Sequence, residues 1–540
     1  MAGNNGPLDF FGDFGMAGGQ DSAPNFVQDD QMCINFYAEV DPGNSKETLG
    51  LLGCPGLSQL AVAPIDGAGS PGFDATQTVW PMPYSGPNLP VRGFWELPGN
   101  TDATNGSTVN NTALAVIGDT CYLVTATQNG NVWPTLSLTA VGTLLTSTGQ
   151  VHIRDNNAGD TAVIVDGPNG YYYTISTQAF TQITDPNFVG ADTVAYIDGW
   201  WVFNKPGTQE FYSNGQAYGL TFNALFFALK DGASDNLVAV MENKELLWLI
   251  GDRTTEIWYN AGGAPGGVGA TFAFQRIVGT LIQAGCKAKH SVARFGSSGQ
   301  EGLIWFGRSE RGENVIILTQ GFQDTVVTPP SFGNEVATYP VTDDAIGYTY
   351  QEDTHQFYVL TFPTADVTWV YDGQSGLMHK RLSYDPYAKK FHRHRSNCFM
   401  NFVGMRIVGD YQNGAIYWLT RNVYTDSGWP LLAKRRAPHI WDKGQRGRVF
   451  MQSLQLDFNV GKGNPSGMGS NPVCTLAISR DGGDTFGART SAPMGKIGEY
   501  RTRTMWRKLG WGRDNVVDIE VIDPVNRDLV GATLKAFSSA

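Results

Sequence analysis

The sequence is poor in charge. Asp, Glu, Lys and Arg make up 16% of its 540 residues, against about 25% in an ordinary soluble domain, so the exposed faces must be built largely from Ser, Thr, Asn and Gln. No run approaches the roughly 20 consecutive apolar residues of a membrane helix, which excludes a helical span. Met1 is followed by Ala, Gly, Asn and Pro, with no basic stretch and no apolar stretch behind it, so no secretory signal is expected. Cysteine is sparse: Cys33, Cys54, Cys121, Cys286, Cys398 and Cys474 stand singly, without a Cys-x-x-Cys pair or close histidines, and are expected as free, half-buried thiols. There is no G-x-S-x-G elbow, no phosphate loop and no H-E-x-x-H, so nucleophile, nucleotide and zinc-protease chemistry have no anchor. Neither catalytic, cofactor-binding nor metal-ligating residues are assigned. Positive charge is in deficit as well. The formal net charge of −12 argues against a surface that grips phosphates, and DNA near this protein is expected to be repelled rather than held.

What is abundant points to strands. Aromatics reach 12%, while 66 Gly and 27 Pro, about 17% of the chain, supply turns without reaching the roughly 25 to 30% that reads as disorder. The expected fold class is all-β. Residues 1–30 mix Gly, Asp and Phe (Phe10, Phe11, Phe14) with no period of 2 or 3.6 and cannot build a core alone. They read as an extended arm ordered by something outside itself, a neighbouring subunit or partner ring being the natural candidate.

From about residue 90 a unit recurs: a short apolar strand, a polar turn, then a second apolar strand. Seven such windows start at Leu114, Ala162, Val194, Leu237, Leu303, Ile346 and Met405, with a mean spacing near 48 residues, within the range of propeller blades. The sharpest internal match sets Val194–Asn214 on Val240–Asn260, both ending in Thr-x-Glu-apolar-aromatic-x-Asn (Thr208, Glu210, Asn214; Thr254, Glu256, Asn260). A weaker copy of the closing strand is Val367–Tyr371. Units that cannot bury both faces alone are satisfied by radial stacking. Because two windows start only 32 residues apart, six blades are expected, with five or seven open. After about Gln445 longer alternating strands (Val449–Val460, Val473–Ser479, Val516–Ile522) predict a small C-terminal β domain of two packed layers or a docked sheet. The expected division is an arm over 1–30, a propeller over 31–445 and a β domain over 446–540.

Three local patterns invite chemistry. Ser479-Arg480-Asp481-Gly482-Gly483-Asp484-Thr485-Phe486 matches the Asp-box hairpin of sialidases and related propellers. Physically that box is a folding device in which the Asp carboxylate binds turn amides, and no arginine clamp, Tyr–Glu nucleophile or acid Asp accompanies it. Lys389-Lys390-Phe391-His392-Arg393-His394-Arg395 is the densest basic run; strand alternation would set His392 and His394 on one face and Arg393 and Arg395 on the other. A phosphate strip or a metal pair would use such a run. Two histidines without further donors make a poor zinc site, so a solvated strand or an intersubunit salt-bridge strip is the preferred reading, and Lys434-Arg435-Arg436-Ala437-Pro438-His439 has the same status. Asn105-Gly106-Ser107 and Asn110-Asn111-Thr112 match glycosylation acceptors but, lacking a signal peptide, read as chance.

Several ordered stretches resemble the packaged-DNA stabilisation, or tail-hub, family of short-tailed bacteriophages. They are Cys33-Ile34-Asn35-Phe36-Tyr37-Ala38-Glu39, then Gly53-Cys54-Pro55-Gly56-Leu57 and Arg92-Gly93; Asp235-Asn236-Leu237, Glu245-Leu246-Leu247, Ile250-Gly251, Thr255-Glu256-Ile257-Trp258, Phe274-Gln275-Arg276 and Gly285-Cys286; and Ser479 to Gly483 with Gly495 to Arg507. The likeness spans about residues 31 to 530; the Gly-rich arm departs from it. It implies a propeller subunit of a virion tail ring, a nozzle usually of six copies below the portal and head-to-tail adaptor rings. Such a ring extends the DNA channel and, with a tail needle, plug or fibre proteins, retains packaged DNA until ejection. Genomic DNA would pass without sequence-specific binding, through a lumen whose residues the sequence does not identify, and assembly would occur in the host cytoplasm. The family has no catalytic residues to carry over. Pro55-Gly56 and Gly482-Gly483 fit turns; Trp258 and Trp506 fit core or interface positions. An acidic bore would suit a conduit, since like charge keeps a polyanion from sticking. The alternative function is a glycan-binding or glycan-cleaving, sialidase-like propeller.

Overall fold

The computed structural model describes residues 9–21, 31–40, 49–62, 88–101, 108–109, 111–127, 134–157, 159–214, 219–262, 272–296, 301–310, 312–442 and 447–539. Among them one helix longer than a single turn occurs, Pro330–Val336; nearly everything else ordered is strand. No helix among the described residues is long and apolar enough to cross a membrane.

Seven antiparallel sheets stand around one axis. Their innermost strands are Val91–Glu96, His152–Asp155, Val194–Ile197, Leu237–Asn243, Ala293–Phe295, Ile346–Glu352 and Ser396–Phe402, here blades 1 to 7. Successive inner strands neighbour one another, the fourth meeting blade 5 through Lys289–Ser291 just ahead of its inner strand, and the seventh neighbours the first. Adjacent blades share apolar clusters, for example Trp200, Phe211 and Phe226 of blade 3 with Leu247, Leu249 and Trp258 of blade 4. This burial of both faces is what a single blade could not achieve.

The propeller expectation holds, but the expected six blades are seven. Each hairpin window falls in its own sheet. The windows at Ala162 and Val194 lie close because the first covers the second and third strands of blade 2 (Thr161–Val165, Gly170–Thr174), whereas the other covers the first and second of blade 3 (Val194–Ile197, Trp200–Asn204). The 46-residue repeat superimposes the first three strands of blades 3 and 4, and Val367–Asp372 is the third strand of blade 6. In blade 3 the hairpin turn is made by Asp198 and Gly199 at φ 50° and 86°, the left-handed pair that a two-residue turn matching strand twist requires.

Blade 7 has only three strands from its own stretch of chain. Its fourth, Gly56–Val62, comes from far upstream and runs antiparallel to Ala415–Thr420, with Gly56 opposite Thr420 and Val62 opposite Ala415. Gly56 is not in a turn, as expected, but in this strand, where a Cβ would lie 2.4 Å from the Val423 carbonyl oxygen and 2.6 Å from that of Thr425.

The C-terminal strands form a sandwich. One layer runs Phe36–Val40, Leu49–Gly53, Leu529–Ser539, Arg448–Phe458, Thr504–Gly512; the other runs Met32–Ile34, Ala433–Arg436, Asp514–Val521, Val473–Ser479, Thr490–Pro493. Leu454, Leu476, Ile519 and Leu534 fill the space between them. The second layer continues into blade 6, because Met32–Ile34 also pairs in parallel with Met378–Lys380. By pairing, residues 36–40, 49–53 and 433–436 go with the C-terminal sheets and residues 32–34 join those sheets to blade 6, whereas the expected division at 31 and 445 set all of them in the propeller.

The arm is also reassigned. Asp9–Asp13 adds to the edge of Leu529–Ser539, and Phe14 and Met16 enter the sandwich core. The chain's own C-terminal domain therefore orders this part of the arm, in place of a neighbouring subunit; residues 1–8 and 22–30 lie outside the described residues.

Candidate functional site: the propeller axis

Inward-facing residues of all seven blades meet in a narrow cavity of about 180 Å³. Its polar groups are used in stitching blades together. Asn397 Nδ2 of blade 7 donates to the Val91 carbonyl of blade 1 (2.8 Å), and Gln150 ahead of blade 2 reaches the Asn397 carbonyl (3.3 Å). The Val194 amide donates to His152 Nδ1 (3.2 Å), and the Val240 amide to Thr193 Oγ1 (2.9 Å). Thr349 bonds the Arg294 carbonyl (2.7 Å), and Tyr348 bonds Ser396 Oγ (2.7 Å). Arg92 is wholly buried and spends its guanidinium on the carbonyls of Gly118, Thr146, Thr148 and Gly149 and on Thr146 Oγ1, locking blade 1 to the entry of blade 2. Such a charge is stable without a carboxylate because its donors are satisfied.

The two ends of the axis differ. At one, Asp166, Asp192, Asp343 and Asp344 surround a mouth of about 420 Å³, with Lys289 paired to Asp192 at 2.6 Å. At the other, Glu242 of blade 4 bridges Arg154 of blade 2 (2.9 Å) and Arg294 of blade 5, and Arg154 lies over the Trp95 ring at 4.9 Å. Every one of these interactions spans blades, so this is a fastening; the Ser396 hydroxyl does face an imidazole, His394 Nδ1 at 2.7 Å, but both side chains are buried and the same hydroxyl accepts from Tyr348.

Histidine makes the fold sensitive to acid. Burial, aided by Arg154 and His290, holds His152 down to about 3; burial and Lys289 do the same to His290. His379 and His394 are also held well below the usual value, first by burial and then by Arg381. His355 goes the other way: burial opposes its charge, but bonds to Asp372 (2.8 Å) and Glu39 (2.7 Å) outweigh burial and raise it. The unfolded chain takes up protons near pH 6.5 that the four lowered histidines refuse, so their penalty is absent above pH 6.5 and grows as pH falls below it. The His355 contribution is full below 6.5 and is lost as pH rises through its raised value. At pH 5 each lowered histidine costs at most about 2 kcal/mol. Denaturant midpoints are expected to fall from pH 7 to pH 4.5, with the slope reduced by up to one proton in H394Q. An unchanged slope in that variant would remove His394 from the account.

The patterns singled out in the sequence are structural. Asp481 accepts from Ser479 Oγ (2.6 Å) and from the Thr485 amide (3.0 Å) and hydroxyl (2.5 Å), bonds that lower its carboxyl to about 2; the hairpin belongs to the sandwich and lies far along the chain from any blade. Gly482 and Gly483 make its turn at φ 76° and 103°. The run at 389–395 is not one solvated strip: Lys389 and Lys390 are exposed, whereas the residues after Phe391 turn to partners within the chain. Only Lys390–Arg393 is strand; His392 bonds Asp366 (2.7 Å), Arg393 lies 3.9 Å over the Tyr411 ring, His394 is buried against Ser396, and Arg395 pairs with Asp410 (3.1 Å). The alternation fails because the strand ends before His394. In the second run Lys434 and Arg436 pair with Asp518, and His439 with Asp514, while Arg435 points inward. Asn105-Gly106-Ser107 and Asn110 lie outside the described residues. Five cysteines are buried and Cys398 half-buried, all free. Trp258 and Trp506 are core residues.

What the sequence did not reveal is the role of single buried groups. Asn35, at φ 56°, donates to the carbonyls of Leu382 (2.7 Å) and Leu432 (2.8 Å) and accepts from the Leu382 amide (2.9 Å), pinning blade 6 to the sandwich. Nothing local marks Asn35 or Arg92 as buried, since their partners are carbonyls up to 397 residues away.

The model of a family described as "Bacteriophage P22 Gp10, beta-propeller" matches residues 91–424, and that described as "Bacteriophage P22 Gp10, beta-sandwich" matches residues 434–536. No curated protein matches the sequence. Among solved structures, the N-terminal domain of Nup159 shares 10% identity over 63% of this chain and 97% of its own, with a TM-score of 0.32. An exo-β-1,3-galactanase from Phanerochaete chrysosporium shares 10% over 81% of this chain and 100% of its own, at 0.25. The designed protein Ika8 shares 11% over 61% of this chain and 99% of its own, at 0.30.

Proposed function

The chain belongs to the bacteriophage P22 Gp10 family, whose members are structural proteins of the tail, and from that premise we propose that it is one subunit of a tail-hub ring. Six copies close below the head-to-tail adaptor, extend the DNA channel and, with the needle, plug or fibre proteins of the tail, hold packaged DNA until ejection. The observation that carries this reading is the joint match of propeller and sandwich in one chain. The axis supports it from the negative side: its polar groups fasten blades, and a cavity of about 180 Å³ cannot admit a double helix whose major groove alone is about 12 Å wide. The DNA lumen therefore has to be enclosed between copies, by heterologous contacts that close on themselves. The glycan-cleaving alternative loses its motif, because the Asp-box carboxylate is consumed within a sandwich hairpin.

Light scattering on the purified chain, with and without the adaptor protein, tests the proposal. A closed ring of about six copies, alone or on the adaptor, is the expected result. A monomer that ignores the adaptor overturns it.

A further inference from the structure

The outer face of the first sandwich layer is built unlike the rest of the surface. Three strands carry a row of aromatic rings in register: Phe537 stands opposite Phe450, and Phe450 opposite Trp511. Phe450 and Phe537 stack at 5.0 Å with an interplanar angle of 7°, and Arg448 lies 4.2 Å over the Trp511 ring, which is 43% exposed. The next row sets Lys535 and Arg507 on either side of Ser453. A register shift between Met451 and Ser453 brings Lys508, at φ 58°, to the same shallow depression of about 600 Å³. Among the described residues Arg448, Arg507 and Lys508 have no carboxylate partner. On the opposite layer the cations are neutralised: Lys434, Arg436 and Arg489 all converge on Asp518.

The charge of the chain is divided in the same way. Residues 446–540 hold 13 Lys and Arg against 9 Asp and Glu; residues 1–445 hold 25 against 41. Residues 446–540 are thus at +4 and the rest at −16, of which the blades, residues 91–424 with 20 Lys and Arg against 29 Asp and Glu, carry −9, within one chain of −12. Aromatic rings with arginine are the composition of an interface centre. A heterologous ring contact needs two different, complementary surfaces on one chain, and opposite net charge on the two parts supplies them.

We propose that this aromatic, basic sheet face docks on the acidic propeller of the next copy and is the contact that closes the ring. The inference rests on the ring reading above and specifies its surface. A nucleic acid could use the same rings and cations, but the −16 of the rest of the chain disfavours approach of a polyanion.

The test uses the full chain as an equal mixture of isotopically light and heavy copies, joined by a zero-length carbodiimide and read by mass spectrometry. Expected are light–heavy peptides linking Lys508 or Lys535 to Asp or Glu of residues 31–445, lost at about 0.5 M salt, where screening is nearly complete within a few ångströms. R507E/K508E changes two exposed side chains; it should keep its melting temperature and weaken self-association by about tenfold or more. Should the wild type form its ring and R507E/K508E form it equally well, the surface is wrong and the ring reading stands. A wild type that stays monomeric with and without adaptor removes both. If instead a short oligonucleotide binds the monomer and quenches Trp511, the face reads nucleic acid and the proposal is overturned.

Discussion

Gly56→Val is expected to open blade 7 and raise amide exchange across Ala415–Thr420 by about a hundredfold or more. The added Cβ would meet the carbonyl oxygens of Val423 and Thr425 at 2.4 and 2.6 Å, and both are backbone, so they cannot swing away. The strand they hold, Gly56–Val62, is the outer strand of blade 7 and the tie between the ends of the ring of blades. Its Leu57 is buried beside Tyr417, Leu419 and Val359, and Leu57→Ala alone should cost about 2 to 5 kcal/mol. Without the strand, Ala415–Thr420 becomes an unpaired edge, and local opening of about 3 kcal/mol less corresponds to the stated hundredfold. Hydrogen exchange followed by mass spectrometry reads this directly. Unchanged protection over residues 415–420 would show that blade 7 holds without its upstream strand. The same edge is a template for intermolecular pairing, so the variant should also aggregate on warming.

The second large effect is expected at Arg435. Its side chain is wholly buried and fastens the arm from within: Nε donates to the Met16 carbonyl (2.7 Å), one terminal nitrogen to the carbonyls of Gly19 (2.9 Å) and Met32 (3.3 Å), and the other to Gln31 Oε1 (2.7 Å). Arg435→Met keeps most of the volume and removes every donor, leaving buried acceptors unpartnered at about 1 to 3 kcal/mol for each that water cannot reach. A loss of about 3 to 5 kcal/mol is expected, with release of residues 14–21 from the sandwich. Cys33, directly across the strand pair from Arg435, is the reporter. Its thiol is buried and its pKa pushed up to about 12, so it should be inert to thiol reagents in the native protein and labelled in the variant. Arg435→Lys tests the role of geometry: one ammonium cannot reach four acceptors in a fork, so it should rescue only a minor part. If Cys33 stays protected in both variants, the arm is held by Phe14 and Met16 alone.

Much of the propeller was legible in the chain. The windows beginning at Leu114, Leu237 and Ile346 are apolar hairpins whose alternation and turn residues depend only on neighbours in sequence, and each became a hairpin in its own blade. Blade count was misread at Ala162 and Val194 because a hairpin pattern does not say which two of four strands it covers. The basic runs misled for a related reason. Arg393, Arg395 and Arg435 look solvated in a one-dimensional string, yet Tyr411, Asp410 and the arm carbonyls, each distant in sequence or across a turn, make burial tolerable. The axis itself could not be seen: Asn397, Gln150, Thr193 and Glu242 are ordinary polar residues until seven inner strands bring them together.

The sequence alone determined strand content, the repeated hairpin and the phage-tail resemblance, because local periodicity and ordered motifs record these directly. Only the tertiary structure decided that seven blades close with an upstream strand, that the arm folds on its own sandwich, and that basic residues are spent inside the protein while one sheet face keeps its cations exposed. Those features depend on pairings between residues hundreds of positions apart, and a buried charge becomes stable only when such distant partners supply its hydrogen bonds.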